Sequence, residues 1–329
     1  MSQTTAIIGA GLVGFGWVIV FARAGHRVQV YDRSAATCEQ LPAMLTQRLK
    51  DLEAAGLVED VRAIQDRVHV CVTLEEALSG ASYVQESVLE RLDAKRAVLE
   101  GIDALIEPGV PVGSSSSGIP ASAFTEGLRH AAQYLVAHPV NPPYLHPLVE
   151  LVPAPWTDEA VVERVRDLMV DVGQYPIRVH GEPEGFILNR LQGALLREAW
   201  ALYEEGHASL EDIDTTVSSG LGLRWAFMGP FETIDLNAPG GVRDYAERLG
   251  PLYLSIARDR VDPQPWSEAL IAGVQADRRK ALSLEAIAER CAWRDRLLMA
   301  LTAFKKQALE ESTRADKIAG STHRQTPDA

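Results

Sequence analysis

The sequence predicts an α/β fold: a doubly wound, mainly parallel sheet followed by an all-α C-terminal domain. Three observations carry this. The chain opens with a short apolar run, a glycine-punctuated turn, a helical stretch and a second apolar run. Strand-like and helix-like patterns then alternate to about residue 179, the order that builds a parallel sheet with helical crossovers. Beyond residue 186 only helical periodicity is found, which sets a boundary near Glu182.

Residues 4–8, TTAII, read as a short strand and run directly into Gly9-Ala10-Gly11-Leu12-Val13-Gly14. A helical segment follows to Ala24, Gly25 ends it, and a second strand over residues 27–31 stops at Asp32. GxGxxG in this strand-turn-helix-strand setting is the fingerprint of a Rossmann-type dinucleotide site. Gly9 permits the tight turn, Gly11 lets the backbone approach a pyrophosphate, and Gly14 lets the helix pack on the strand. The free N–H groups of the helix start face the phosphates. Asp32 is placed to accept hydrogen bonds from ribose hydroxyls and to repel a 2′-phosphate, so NAD is favoured over NADP. Arg33 beside it softens that preference.

Residues 34–66 read as helices broken at Gly56, residues 67–72 as a strand, 74–78 as a short helix and 83–88 as a strand. A helix over 92–106 and a strand over 110–113 follow. Glu90 and Lys95 come just after the strand that ends at Val88, on the edge where ligands lie in such sheets; charges at a helix start are also an ordinary surface feature. Residues 156–171 form a further helix and 174–179 a last strand. The segment 186–205 carries Ile187, Leu191, Leu195, Ala199 and Leu202 along one face and is long enough for a central helix. Ser209 is the N-cap of the next helix, residues 220–230 form a glycine-rich connection holding Arg224 and Trp225, and helices resume towards Arg248, from Glu268 and over 283–311. The expected organisation is a dinucleotide-binding domain over 1–182, a helical substrate and dimerisation domain over 183–311, and a loose polar tail over 312–329.

The stretch 112–151 gathers the chemistry. Ser114 to Ser117 follow an apolar run and are closed by Gly118, a strand end opening into a loop. His138 ends the apolar run 134–137, and Pro139, Pro142 and Pro143 bar a helix after it. Glu150 is a charge inside the strand-like LVELV. A hydroxyl, an imidazole and a carboxylate at strand ends can form a proton relay; a serine-rich turn, a core histidine and an edge glutamate account for the same residues without one.

Bulk composition excludes some classes. The 329 residues carry a net charge of −13 and 47% hydrophobic residues, which argues against nucleic acid or an anionic membrane as main partner. Cys38, Cys71 and Cys291 lie far apart with no Cys-x-x-Cys spacing, suggesting neither a disulfide framework nor a zinc site and fitting a reducing cytoplasm. No basic residue precedes the apolar N-terminal run as in a signal peptide, and no run of about 20 apolar residues could span a bilayer.

Taken together, GAGLVG with Asp32, SSSSG, HPVNPP, LVELVP, GFILNRL and GLGLRWAFMGPFE resemble the 3-hydroxyacyl-CoA dehydrogenase superfamily. They are most similar to its L-gulonate 3-dehydrogenase and lambda-crystallin branch, from about Thr4 to Leu249. The resemblance implies a catalytic serine at Ser117, with Ser116 the adjacent alternative, a histidine at His138, a glutamate at Glu150 and an asparagine at Asn189. It implies cofactor contacts at Gly9, Gly11, Gly14 and Asp32, with Glu90 and Lys95 near the nicotinamide end. His138 would take the proton of a C3 hydroxyl while hydride leaves for NAD, Glu150 would fix the imidazole tautomer, and Ser117 and Asn189 would hold the reacting oxygen. The chemistry needs no metal. His146, followed by Pro147 on a loop, is the rival histidine that the motif does not select.

The substrate that this branch implies is a small free 3-hydroxy acid. Arg224, flanked by aromatics, is the candidate to clamp its carboxylate bidentately; stacking on those aromatics is the structural alternative. Acyl-CoA would call for bases to grip its phosphates, and residues 34–66 offer only Arg48, Lys50 and Arg62 among several acids. L-carnitine dehydrogenases share much of the pattern, with a cationic substrate able to sit against Trp225. A non-catalytic crystallin-like protein would be expected to lose the relay. The resemblance also implies a homodimer.

Overall fold

The computed structural model describes residues 3–322, and their contacts fall into two units, Met1–Gln192 with Arg296–Ala329, and Gly193–Asp295. The first unit begins with β1 (Thr4–Ile8), α1 (Leu12–Arg23) and β2 (Arg27–Tyr31). α1 is apolar on every side, and Phe15, Trp17, Val18, Ile19, Val20 and Phe21 are all buried. A helix of that kind belongs inside the core, where each enclosed Val, Ile or Phe stabilises by about 1.5–3 kcal/mol. Next come α2 (Ala35–Ala54) and α3 (Val61–Gln65), started by Ser34 and Asp60, whose side chains accept the Thr37 and Ala63 N–H groups. β3 (Val68–Val70), α4 (Leu74–Leu78), β4 (Tyr83–Glu86), α5 (Leu92–Leu105), β5 (Val112–Ser114) and a short α6 (Ala121–Thr125) follow. The unit is completed by β6 (Tyr134–Pro139), β7 (Leu148–Pro153), α7 (Glu159–Asp171), β8 (Tyr175–Arg178) and the first residues of α8 (Leu188–Glu204).

The eight strands form one sheet in the order β3-β2-β1-β4-β5-β6-β7-β8. Neighbours run parallel throughout except β6 and β7, which are antiparallel. The exception follows from the sequence: a parallel return needs a crossover of a dozen or more residues, and the proline-bearing link between Pro139 and Leu148 is too short for one. Two apolar clusters cover the two faces. One joins α1, α2 and α7 to the sheet; the other holds Leu99, Ile102, Phe124 and Phe186. Because β1, β4, β5 and β6 are parallel, their C-terminal ends open on one edge. Gly9, Ser87, Ser115 to Ser117 and His138 stand there.

The second unit is helical: the rest of α8, α9 (Leu210–Thr215), a π-helical turn (Thr216–Leu221), α10 (Gly222–Trp225), α11 (Pro230–Leu236), α12 (Gly241–Arg258), α13 (Glu268–Ala281) and the start of α14 (Ile287–Thr322). Ser209 does cap α9, accepting from Asp212 N–H. Within this unit Arg260 forks between Glu198 and Glu205, both at 2.9 Å, and Trp200 stacks on Trp266 with ring centroids 4.4 Å apart.

Several expected bounds shift. The glycine-rich connection expected over 220–230 is helical as far as Trp225: no proline occurs before Pro230, and a helical Gly costs only about 1 kcal/mol relative to Ala. The helix expected from Trp156 starts at Glu159, with Asp158 as its N-cap, because Trp156 donates its indole N–H to Thr125 at 3.1 Å. The tail expected from Ser312 continues α14 to Thr322. Residues 312–319 contain neither Gly nor Pro, and a formed helix propagates without an apolar stripe; residues 323–329 lie outside the described part. The first unit runs on to Gln192, and Phe186 is part of its core. Met299 is buried there too. No described helix is long and apolar enough to cross a membrane.

Candidate active site

A cavity of about 300 Å³ opens at the strand ends, lined by Gly9, Gly11, Asp32, Arg33, Ser87 and Val88 among others. The three glycines have different reasons. Gly9 takes a φ of +95°, and a Cβ on it would stand 2.7 Å from the Ser87 carbonyl oxygen. A Cβ on Gly14 would stand 1.8 Å from the Gly9 oxygen. Nothing lies within 4 Å of a Cβ placed on Gly11, and Gly11 caps α1 without a side-chain bond. Open space therefore faces the uncapped N–H groups of a helix start, the arrangement that accepts a phosphate. Asp32 is fixed on the wall: its Oδ2 accepts from Ala10 N–H and its Oδ1 from Ser34 N–H, each at 2.8 Å. Each oxygen keeps a lone pair for a ribose hydroxyl. The residues present fit a dinucleotide.

Further along the same edge, the antiparallel ladder sets His138 directly opposite Glu150. Cross-strand partners share a face of the sheet, and His138 Nδ1 meets Glu150 Oε2 at 2.7 Å. The other carboxylate oxygen accepts two backbone N–H groups, from Ile187 at 2.8 Å and Leu188 at 2.9 Å. Burial favours the protonated acid, but the bonds from His138, Leu188 and Ile187 outweigh it and hold the Glu150 carboxyl below its ordinary range. An ionised Glu150 makes Nδ1 the donor nitrogen, which leaves Nε2 to accept a proton. Phe186, 1% exposed, stands against the imidazole with ring centroids 5.9 Å apart. It holds a left-handed φ of 51°, a conformation rare for a bulky residue. The turn that aims Ile187 and Leu188 at Glu150 imposes it. His146 sits in the loop between β6 and β7, its N–H closing a turn on Pro142 O at 3.0 Å.

The four serines part company at the end of β5. Ser114 Oγ donates to Glu86 Oε2 at 2.5 Å. Ser115 Oγ points the other way, accepting from Trp17 Nε1 at 3.1 Å and Gln85 Nε2 at 2.8 Å, and sharing a 2.8 Å bond with Ser87 Oγ. Ser116 is 0% exposed; its hydroxyl serves Glu90 Oε1 at 2.9 Å and Ile119 O at 2.7 Å. Ser117 is half-buried, and its hydroxyl has one longer contact, 3.3 Å to Glu90 Oε1. Of the adjacent pair, Ser116 is spent on the turn and Ser117 is the hydroxyl left for a ligand. Asn189, in the first turn of α8, donates from Nδ2 to the Ser117 carbonyl oxygen at 2.7 Å. Asn189, Ser117, His138 and Glu150 are thus brought to one place.

Lys95 stands under the end of β4, behind the serine loop. It is 0% exposed, and its ammonium lies 3.2 and 3.1 Å from the two oxygens of Glu86 and 3.4 Å from Glu90 Oε2. A buried amine needs such partners, and Lys95 has them in the two carboxylates. Arg224 is misread as a loop residue: it is an exposed residue of α10 in the helical unit. Sequence reasoning missed Glu86, whose signal was available, since a carboxylate ending the apolar strand YVQE is as anomalous as Glu150 in LVELV. The donors Ile187 and Leu188 carry no side-chain signal at all. Apart from this site, His69, Cys71 and Glu76 set one donor atom each within 4.8 Å of one another. Both Glu76 oxygens are already engaged there, by His69 at 3.1 Å and Val72 N–H at 2.8 Å.

Comparison with known proteins agrees with this geometry. Residues 4–182 match the 3-hydroxyacyl-CoA dehydrogenase NAD binding domain and residues 185–280 the C-terminal domain of the same family. The chain is 39% identical to a lambda-crystallin of Oryctolagus cuniculus, over 92% of this chain and 96% of that protein. It is 38% identical to an L-carnitine dehydrogenase of Nocardiopsis dassonvillei, over 95% and 94%. Among solved structures, an NAD⁺-dependent 5-formyl-3-hydroxy-2-methylpyridine 4-carboxylic acid 5-dehydrogenase superposes with a TM-score of 0.72 at 29% identity, covering 88% of this chain and 99% of that one.

Proposed function

Because this chain belongs to the 3-hydroxyacyl-CoA dehydrogenase family and is an NAD-dependent oxidoreductase, we propose that it oxidises the C3 hydroxyl of a small free 3-hydroxy acid, in the manner of L-gulonate 3-dehydrogenases. The observation that carries the chemistry is the 2.7 Å bond between His138 Nδ1 and an ionised Glu150, beside the Ser117 hydroxyl with its single, longer contact to Glu90. His138 Nε2 takes the proton of the substrate hydroxyl, and Glu150 stabilises the imidazolium that results. Ser117 Oγ and the Asn189 side chain orient the reacting oxygen. Bound NAD supplies the acceptor for the C3 hydrogen; Gly11, the α1 N-terminus and Asp32 hold its phosphates and ribose.

Choice of a free acid over a CoA ester is supported by the scarcity of bases on α2. Arg48, one of the few, lies over the Tyr144 ring at 5.6 Å. Arg224 is the cation proposed to receive the substrate carboxylate. L-carnitine is the second substrate reading, favoured by 38% identity over 95% of the chain to an enzyme of that name. L-gulonate, 3-hydroxybutyrate, L-carnitine and 3-hydroxybutyryl-CoA assayed side by side with NAD, by NADH absorbance, test this: a free acid should give the highest kcat/KM. Faster turnover of the CoA ester would overturn it. Arg224→Met should raise KM for the acid about tenfold or more while sparing kcat; unchanged KM removes Arg224 from the site. A homodimer in a reducing cytoplasm is the expected state. Exposed Leu252, Leu254 and Ile256 on α12 and three free cysteines support it.

A further inference from the structure

We propose that the Ser87 hydroxyl binds the pyrophosphate of the dinucleotide, and that Trp17, Gln85 and Ser115 are positioning residues that point its proton into the cofactor cavity. One fixed acceptor sets the direction of every bond in this buried network. Gln85 Nε2 lies 3.3 Å from the Ala137 carbonyl oxygen, which can only accept, so the amide nitrogen must face it and the amide oxygen must face away. That oxygen takes the Tyr83 phenol proton at 2.5 Å. Burial pushes the phenol far above its ordinary value, so the proton stays on it. The second proton of Gln85 Nε2 goes to Ser115 Oγ at 2.8 Å. Trp17 Nε1, a donor only, goes to the same oxygen at 3.1 Å. Trp17 and Gln85 are both 0% exposed, and polar groups buried so deeply need such partners.

A serine hydroxyl has one proton and two lone pairs. Both lone pairs of Ser115 are filled by N–H donors, so its proton goes to Ser87 Oγ at 2.8 Å. Ser87 therefore accepts in that bond and keeps its own proton for another partner. Among the described residues its hydroxyl makes no other hydrogen bond. Ser87 is half-buried and stands against the glycine turn: its carbonyl oxygen is 2.7 Å from a Cβ placed on Gly9, and its own Cβ is 3.2 Å from one placed on Gly14. It lines the same cavity as Gly11 and Asp32. A ribose hydroxyl donates as readily as it accepts and needs no preset donor. A phosphate oxygen only accepts, and the start of α1 beside Gly11 is where that group is received. A hydroxyl whose proton is fixed outward next to that turn matches it, and bonds to an ionised acceptor are roughly twice as strong as neutral ones. Because every other proton in the network is committed, the outward direction of this one is held by the core itself.

The test reads binding to the full chain without turnover: NADH by its fluorescence, ADP and adenosine by calorimetric titration, and the thermal midpoint of each ligand-free variant. Ser87→Ala should weaken NADH and ADP about tenfold or more, the loss expected for a bond to a charged group. Adenosine, which has no phosphate, should stay within about twofold, and the midpoint should fall by no more than about 3 °C. In turnover, KM for NAD should rise while kcat is spared. Ser115→Ala leaves two buried N–H donors without an acceptor, so its midpoint should fall further. It should also weaken ADP, by up to the same factor as Ser87→Ala. Since Ser115 acts through Ser87, the double variant should bind ADP no more weakly than Ser87→Ala alone. Should Ser115→Ala fail to fold, Trp17→Phe, which removes one donor to Ser115 and keeps a ring, takes its place in the cycle. Unchanged ADP affinity in Ser87→Ala would overturn the proposal. Equal weakening of adenosine would do the same, as general damage to the cavity, and weakening confined to NADH would move the acceptor off the pyrophosphate. Losses that multiply in the double variant would remove Ser115 as the group that orients Ser87.

Discussion

Replacing Glu150 by glutamine changes one property of the site and leaves its shape. The amide oxygen can still accept the Ile187 and Leu188 N–H groups at 2.8 and 2.9 Å, so the start of α8 stays in place. The amide nitrogen must then occupy the position of Oε2, 2.7 Å from His138 Nδ1. A nitrogen that donates there forces Nδ1 to accept, and the ring proton moves to Nε2. That nitrogen can then no longer take a proton from a hydroxyl. The imidazolium also loses its counter-charge. In serine protease triads the equivalent tautomer error costs about 10⁴ in turnover. A loss of roughly 10³- to 10⁴-fold in kcat is expected here, about 4–5.5 kcal/mol at 1.36 kcal/mol per decade. The assay is steady-state NADH formation, with NADH affinity and the thermal midpoint measured on the same sample. Turnover within about tenfold of the parent, in a folded protein with normal NADH affinity, would refute the dyad as the proton acceptor.

The glycine fingerprint separates folding from binding. Gly11→Ala adds a methyl into open space, so its midpoint should stay within about 2 °C while NADH affinity drops about tenfold or more. Gly14→Ala sets the methyl 1.8 Å from Gly9 O and should unfold or fail to accumulate, as circular dichroism would show; equal stability of the two variants would contradict the packing described. Glu150 predicts an acid limb. Its folded-state carboxyl lies below the ordinary value of 4.5, so the stability it contributes is fully present above that pH and is lost as pH falls through the lower folded value. The difference in thermal midpoint between parent and Glu150→Gln should be flat near neutrality and shrink below about pH 4.5; a gap that widens on acidification would reverse the sign.

Legibility in the sequence follows the range of the physics. The Gly9 to Gly14 turn and Asp32 are readable because their constraints are local, a positive φ, a close approach and a carboxylate at a strand end. His138 and Glu150 are readable because a charge in LVELV and an imidazole closing an apolar run each lack a local explanation, and an antiparallel pair supplies one. Ser116 and Ser117 are not separable by composition. Only the partners Glu90 and Ile119 show that the Ser116 hydroxyl is spent on the turn. The inward direction of Lys95 is invisible because its main partner, Glu86, lies across a strand end and a turn. The helical state around Arg224 is hidden for a different reason: Gly220 and Gly222 signal a connection locally, and the π-helical turn that carries the chain through them has no sequence signature of its own.

The carboxylate that partners His138 also moors the polypeptide where it leaves the sheet, since Ile187 and Leu188 hang from its second oxygen next to the left-handed Phe186. Silencing the chemistry and preserving the architecture are therefore separable at one end of the dyad only. A substitution at Glu150 that removes both oxygens casts off the first turn of α8 and with it the Asn189 grip on Ser117, so the pocket deforms as it falls silent. A substitution at His138 leaves that mooring made fast. For trapping an unreacted substrate beside bound cofactor, His138→Asn is the variant whose inactivity would still report the geometry of the working enzyme.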